Sequence, residues 1–333
     1  MTRRDVIKKG GLLLTALALP TSLTTFINHK NMKNTTNYDA IIIGGSYSGL
    51  SAAMALGRSL RKVLIIDAGD PCNKQTPHSH NFVTQDGEKP NVIAVKAKEQ
   101  VLKYDTVQFI NDKAINGEKS EKGFTIQTQS GAAYSSKKLI FATGIKDIMP
   151  DIKGFAACWG ISVIHCPYCH GYEFKNQKTA IMANGERAFH LASLVHNLTK
   201  KLVILTTGKA NFDDTQLAKL HQNGIEIIET EIAEMEHQNG KIQHIVFKDG
   251  KKIDLDAVYA GIPFEQHTDI PVGLGCELTE QGYIKVDTFQ KTSISGIYAC
   301  GDNSSMMRSV ANAVYTGNMV GAMVNKELVE KEF

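Results

Sequence analysis

No stretch of this 333-residue chain reaches the ~18 uninterrupted apolar residues of an ordinary membrane span, so no stable span is expected outside an N-terminal signal. Cysteine is sparse. Of the six present, Cys72, Cys158, Cys276 and Cys300 stand alone, which excludes a disulfide scaffold. An excess of one charge is also missing: the net charge is +3, and Arg3, Arg4, Lys8 and Lys9 less Asp5 account for all of it. The remainder is balanced, which argues against a nucleic-acid partner. The apolar content of 42% suffices for one large core or two smaller ones, and usual domain sizes favour two.

Against that background the run Cys166-Pro167-Tyr168-Cys169-His170 stands out. Two thiols separated by two residues can close into a small disulfide ring and reopen, storing two electrons in a bond whose potential the surroundings tune. The same residues also permit half of a zinc site, a strained structural disulfide or a c-type haem attachment signal. Zinc would need two more ligands, and pairing His165 and His170 with the adjacent cysteines is sterically awkward, so no metal is expected.

The first residues have the basic, apolar, small-residue order of a bacterial export signal: Arg3-Arg4 leads into an apolar run from Gly11 to Leu19. The pattern is similar to a twin-arginine signal, which carries folded proteins to the periplasm; a cytoplasmic protein with an uncleaved or misjudged start is the alternative. Residues 1–20 are assigned to this signal and 21–37, rich in Thr and Asn, to a linker.

Asp39 to Ile43 forms a short buried strand, Gly44-Gly45-Ser46-Tyr47-Ser48-Gly49 a tight turn, Leu50 to Leu60 an amphipathic helix and Val63 to Asp67 a second strand. This is a dinucleotide fingerprint. Glycines let the backbone approach a pyrophosphate, the helix N-terminus stabilises its charge, and Asp67 is placed for a ribose hydroxyl. Ser46 departs from the pattern by putting a Cβ where the middle glycine belongs. The segment from Pro71 to Phe82, which includes Gln75, His78, His80 and Asn81, is long for a connection and is expected to order over a cofactor ring. A helix is expected from Pro90 to Tyr104. A strand from Lys138 ends in Ala142-Thr143-Gly144, the segment expected to close over the first nucleotide.

Shifted by 139 residues the chain repeats itself, with Gly44 on Ala183, Ser46 on Gly185, Gly49 on Ala188 and Asp67 on Thr206. Two nucleotide units suggest two nucleotides, one resident and one visiting, NADPH or NADH. The second copy is the poorer binder, because Thr206 replaces the acid and no arginine follows for a 2′-phosphate. Hairpins with turns at Asn239-Gly240 and Asp249-Gly250 come next. Near the C-terminus a strand from Gly296 ends at Gly301-Asp302, ahead of a helix expected from Ser305 to Val329. Asp302 there can accept hydrogen bonds from ribityl hydroxyls, and it also suits a helix N-cap.

On these residues, from Gly44 through Asp67, Ala142-Thr143-Gly144 and Cys166/Cys169 to Gly301-Asp302, the chain resembles the low-molecular-weight thioredoxin reductase-like flavoproteins over about residues 38 to 330. The resemblance implies an α/β fold of two Rossmann-like domains. An FAD domain spans 38–150 and 263–333, and an inserted NAD(P)-type domain, 151–262, carries the cysteine pair. It implies that FAD is held by Gly44, Gly45, Ser46, Gly49, Asp67, Gln75, Asn81, Thr143, Gly144, Gly301 and Asp302, with Ala183, Gly185 and Ala188 facing a nicotinamide nucleotide. Cys169 would face the flavin and Cys166 the substrate disulfide, in a homodimer. Thioredoxin reductases place Asp after the second cysteine; His170 here can transfer the proton instead. That residue and the missing arginine are similar to the gliotoxin- and holomycin-type dithiol oxidases. The expected activity is therefore two-electron exchange between flavin and the cysteine pair, with a small dithiol or disulfide or a thioredoxin-like protein as partner. An oxygen-dependent dithiol oxidase is the alternative. A haem carrier is the remote one, since haem is attached to chains exported unfolded and two nucleotide folds would then have no purpose.

Overall fold

The computed structural model describes residues 37–333; the expected signal and all but the last residue of the linker lie outside the described residues. The chain enters through β1 (Asn37–Ile43), whose Ile41-Ile42-Ile43 run suits a parallel strand buried on both faces. It continues through α1 (Tyr47–Arg58), β2 (Val63–Asp67), α2 (Pro90–Val101), β3 (Val107–Asn111), β4 (Ala114–Ser120), β5 (Gly123–Thr128) and β6 (Ala133–Phe141). β6 stops at Phe141, so Ala142-Thr143-Gly144 is a turn beyond the strand end rather than its last residues. The sheet order is β3-β2-β1-β6-β5-β4. The first four of these strands are parallel, with Ile41 opposite both Leu64 and Leu139.

A short β7 (Ile145–Asp147) leads out of this sheet to α3 (Phe155–Cys158), β8 (Val163–Ile164) and α4 (Pro167–His170). The repeated unit follows as β9 (Thr179–Met182), α5 (Gly185–Val195), β10 (Leu202–Leu205), α6 (Asp214–Gln222) and β11 (Glu226–Ile228). The expected hairpins are the antiparallel β12 (Ile232–Gln238), β13 (Lys241–Phe247) and β14 (Lys252–Asp254). β15 (Ala257–Ala260) then completes a second parallel sheet of order β11-β10-β9-β15-β8. β16 (Phe264–Gln266) pairs with β7, so the outgoing and returning segments form one two-stranded ribbon.

After α7 (Ile270–Gly273), β17 (Ile297–Ala299) joins the first sheet beside β6, and α8 (Val310–Glu332) packs along α1. Close approach of these helices depends on small residues. A Cβ at Gly317 would lie 2.1 Å from the Ser48 carbonyl oxygen, so only glycine fits there. The helix expected from Ser305 starts five residues later, at Val310, and Ser309 is its N-cap, accepting from the Asn312 N–H at 3.1 Å. Asp302 is therefore not a cap. It sits in a loop fixed by the fully buried Asn303, whose Nδ2 donates to Phe141 O and Thr143 Oγ1.

Candidate active site

One cavity of about 340 Å³ runs from the β1–α1 turn to the cysteine pair. Gly44, Gly45, Ser46, Asp67, Gln75, Thr143, Gly144 and Asp302 line it, together with Cys169 and His170. Its floor is tightly built. Gly44 has φ +106°, and a Cβ there would come within 2.2 Å of the Ala142 carbonyl oxygen. The Gly45 N–H donates to Asp67 Oδ1 at 2.8 Å, which holds the carboxylate at the end of β2 while leaving its other oxygen to accept. Gly49 and Gly301 lie behind the lining: Gly49 faces the Gly44 carbonyl, and Gly301 faces the Ser48 side chain. Asn81 does not reach the cavity; it is a turn residue with φ +57°, its N–H donating to Asp86 Oδ1.

The cysteine pair sits where the second sheet meets this cavity. Cys166 is the N-cap of α4, and its sulfur accepts the Cys169 N–H at 3.2 Å. Both thiols are free. A hydrogen bond from the Cys169 side chain, aided by backbone N–H groups and the Arg308 charge and opposed by burial, brings the Cys166 thiol down to about 7. The same pairing and burial push Cys169 upward. Cys169 lines the cavity and Cys166 does not. The sequence thus brings to one wall the two residues expected to meet a flavin, Cys169 and His170. Burial, and then the charge of His80, hold the His170 imidazole below its usual range.

Asp147, Trp159 and Arg308 were not singled out from sequence, and His165 was named there only as an awkward zinc partner, yet all four line the cavity beside Asp302. Arg308 grips Asp147 with both terminal nitrogens at 2.8 and 2.9 Å, Trp159 Nε1 donates to Asp147 at 3.2 Å, and Arg308 Nε lies 3.7 Å from Asp302. His165 stacks beside Trp159, its Nε2 is buried without a protein partner, and burial together with Arg308 drives it down to about 3. Burial raises Asp302 to about 6. No local pattern marks these residues, because β7, α3 and the loop before α8 meet only in the folded chain.

The lining fits FAD. Glycine at position 44 lets the turn close against the Ala142 backbone, Asp67 presents a free carboxylate oxygen, and the Nε of Arg308 and Nε2 of His165 are buried polar atoms without a hydrogen-bond partner at the same wall. The second unit does not fit a dinucleotide in the same way. Asn184 Oδ1 already accepts from the N–H groups of Gly185 (2.8 Å) and Asn211 (2.9 Å), and Asn184 Nδ2 donates to Lys209 O. The place a pyrophosphate would take at the start of α5 is thus held by the protein's own amide. Thr206 spends its hydroxyl on the Gly208 and Ile228 carbonyls, and Ala188 is buried in the core. Ala183, Gly185 and Ala188 are not among the residues that line the cavity described above.

Two dinucleotide-type sheets, one glycine-floored cavity and a cysteine pair at its wall define a flavin-dependent disulfide oxidoreductase. The chain belongs to the pyridine nucleotide-disulphide oxidoreductase family, which matches residues 38–317. It is 29% identical over 311 residues to thioredoxin reductase tcpT of Claviceps purpurea, covering 90% of this chain and 96% of that one. It is 30% identical to thioredoxin reductase sirT of Leptosphaeria maculans, covering 86% and 93%. Among solved structures, an oxidoreductase from Agrobacterium tumefaciens superposes with a TM-score of 0.83 at 34% identity, covering 88% of this chain and 99% of that one.

Proposed function

We propose that the protein exchanges an electron pair between bound FAD and the Cys166/Cys169 pair, and between that pair and an external dithiol or disulfide. The substrate is a small molecule or a thioredoxin-like protein. The observation that carries this reading is the division of the pair: Cys169 lines the cavity, while the more acidic Cys166 lies outside it.

In the reducing direction the Cys166 thiolate attacks a substrate disulfide, one substrate sulfur leaves as thiolate, and a mixed disulfide forms. Cys169, having lost its proton, attacks Cys166 Sγ. The Cys166–Cys169 bond closes, the second substrate thiolate leaves, and two protons make both thiolates thiols. The enzyme pair is oxidised by two electrons and the substrate reduced by two. Oxidation of a dithiol runs the same steps backwards. FAD, when bound, supplies or accepts the electron pair at the cysteine pair. His170 is the proton carrier for Cys169, and Asp302 and Asp67 would accept hydrogen bonds from the hydroxyl groups of a bound FAD.

Anaerobic mixing of the purified protein with NADPH, NADH and a small dithiol in separate runs tests this by flavin bleaching. Rapid bleaching by at least one of them is expected. Bleaching by dithiol should be lost in Cys169→Ser, and bleaching by nicotinamide, which reaches the flavin directly, should persist there without disulfide turnover; dithiol bleaching or disulfide turnover that survives Cys169→Ser overturns the reading. Bleaching by nicotinamide sets the direction as reduction, and bleaching by dithiol alone sets it as oxidation.

Export through Arg3-Arg4 and assembly as a homodimer are further parts of the proposal, supported by the signal pattern and by the family likeness. Converting both arginines to Lys should retain the protein in the cytoplasm, and light scattering of the purified protein should give twice the chain mass.

A further inference from the structure

The segment between β2 and α2 carries a second imidazole to the redox wall. Ser79 is pinned by two backbone hydrogen bonds, its N–H to Glu88 O (2.8 Å) and its carbonyl from the Gly87 N–H (2.9 Å). This bridge sets His80 into the cavity lining, while His78 is tied to Gly87 O at 2.9 Å. The His80 ring meets the His170 ring edge-on, 6.4 Å between centroids at 88°. Its Nε2 lies 3.6 Å from Glu173 Oε1 and its Nδ1 3.8 Å from Asp86 Oδ1. His80 is largely covered, with 21% of its side chain exposed, whereas Glu173 and Asp86 reach solvent at 38% and 68%.

We propose that His80 is the outer member of a proton relay that connects His170 to solvent through Glu173 and Asp86. The need for it follows from burial. His170 is only partly exposed and lines the cavity that a cofactor and substrate would fill, so a proton it takes from Cys169 needs a route out before the next half-reaction. The 6.4 Å ring separation suits transfer through a single water, and both carboxylates lie just beyond direct hydrogen-bond distance of the His80 ring. In the balanced step Cys169–SH gives its proton to His170, His170 passes one on to His80, and Glu173 accepts one from His80. Cys169 ends as thiolate, Glu173 as carboxylic acid and both imidazoles as neutral rings; no electrons move. His80 does not touch the reacting sulfur and acts through His170 as a positioning residue. The groups facing the relay are His78, Asp86 and Glu173 around His80, and His165 on the far side of His170.

The inference rests on the proposed thiol–flavin exchange, and its test separates the two. The FAD-loaded enzyme, His80→Gln and His80→Ala are compared for flavin content, Cys166 alkylation rate and the pH profile of turnover with a small dithiol or disulfide. Expected are unchanged flavin content and alkylation, turnover lowered at least about tenfold in both variants, a flattened pH profile and partial rescue of His80→Ala by added imidazole. Unchanged turnover and pH profile in both variants overturn the relay while leaving the exchange intact. Lost turnover that imidazole does not restore, with flavin lost as well, also overturns it by showing a structural role. Absence of thiol–flavin exchange in the unaltered enzyme overturns the proposed function and the relay together.

Discussion

The Cys169 N–H points at Cys166 Sγ from 3.2 Å, so the thiol outside the cavity is stabilised as a thiolate by the residue inside it. The reduced enzyme should therefore be alkylated at Cys166 first, with a rate that rises as pH climbs through about 7. Cys169→Ala removes the largest cause of this acidity, the side-chain hydrogen bond. The midpoint should then move up towards about 8.5, the ordinary thiol value. Peptide mapping of iodoacetamide-treated protein against pH checks both; preferential labelling of Cys169 would reverse the assignment of the two sulfurs.

Asp147 and Arg308 make a two-pronged ion pair whose side chains are 5% and 14% exposed. Asp147→Ala strands a buried guanidinium and breaks the Trp159 hydrogen bond, at a cost of about 3–5 kcal/mol. Urea unfolding followed by flavin and tryptophan fluorescence should show this loss, and Arg308→Lys, which cannot make the fork, should lose a large part of it.

His165 gives the protein an acid limit. Its folded value of about 3 lies below the ordinary 6.5, so the unfolded chain binds a proton that the folded one refuses. The stability it contributes is complete above pH 6.5 and is lost as pH falls from there towards 3, at up to about 1.4 kcal/mol per pH unit. His165→Phe should flatten that part of the urea-midpoint profile. A profile of unchanged slope would show that the ring is protonated in the folded enzyme.

Asn184 holds the Gly185 N–H of the second unit's turn and the Asn211 N–H of the loop after β10 with its own side-chain oxygen. Asn184→Gly frees them at a cost of a few tenths of a kcal/mol in capping. Binding of NADPH and NADH, followed by quenching of flavin fluorescence, should tighten several-fold in this variant. Equal affinity in both proteins would show that the amide is no obstacle.

A strand whose signal is an apolar run between turn residues was legible in the sequence to the residue: Val63–Asp67. So were the glycine turn, the hairpin turns and the arrival of Cys169 and His170 at the flavin cavity. Helix starts were less so. α1 begins at Tyr47, inside the stretch taken as a turn, because a helix N-terminus in this motif is part of the phosphate-binding bend. The loop before α8 was taken for helix because Ser305 to Arg308 contain no breaker. It stays open because Arg308 is drawn to Asp147 and Asn303 is tied to Phe141 and Thr143, contacts that sequence spacing does not encode. The same holds for Trp159 and His165, which become site residues only through tertiary contact.

β17 enters the first sheet beside β6, pairing Ile297 with Leu139, and Asn303 closes the end of β6 through the Phe141 carbonyl. During synthesis on the ribosome the Leu139–Phe141 end of β6, beyond the part paired with β5, therefore waits without its partner on that side while the whole second sheet is made. The nascent chain has no finished flavin pocket until its last helix emerges. A chain truncated before Ile297 should leave the Leu139–Phe141 end of β6 unpaired and lack the Asp302 wall of the cavity.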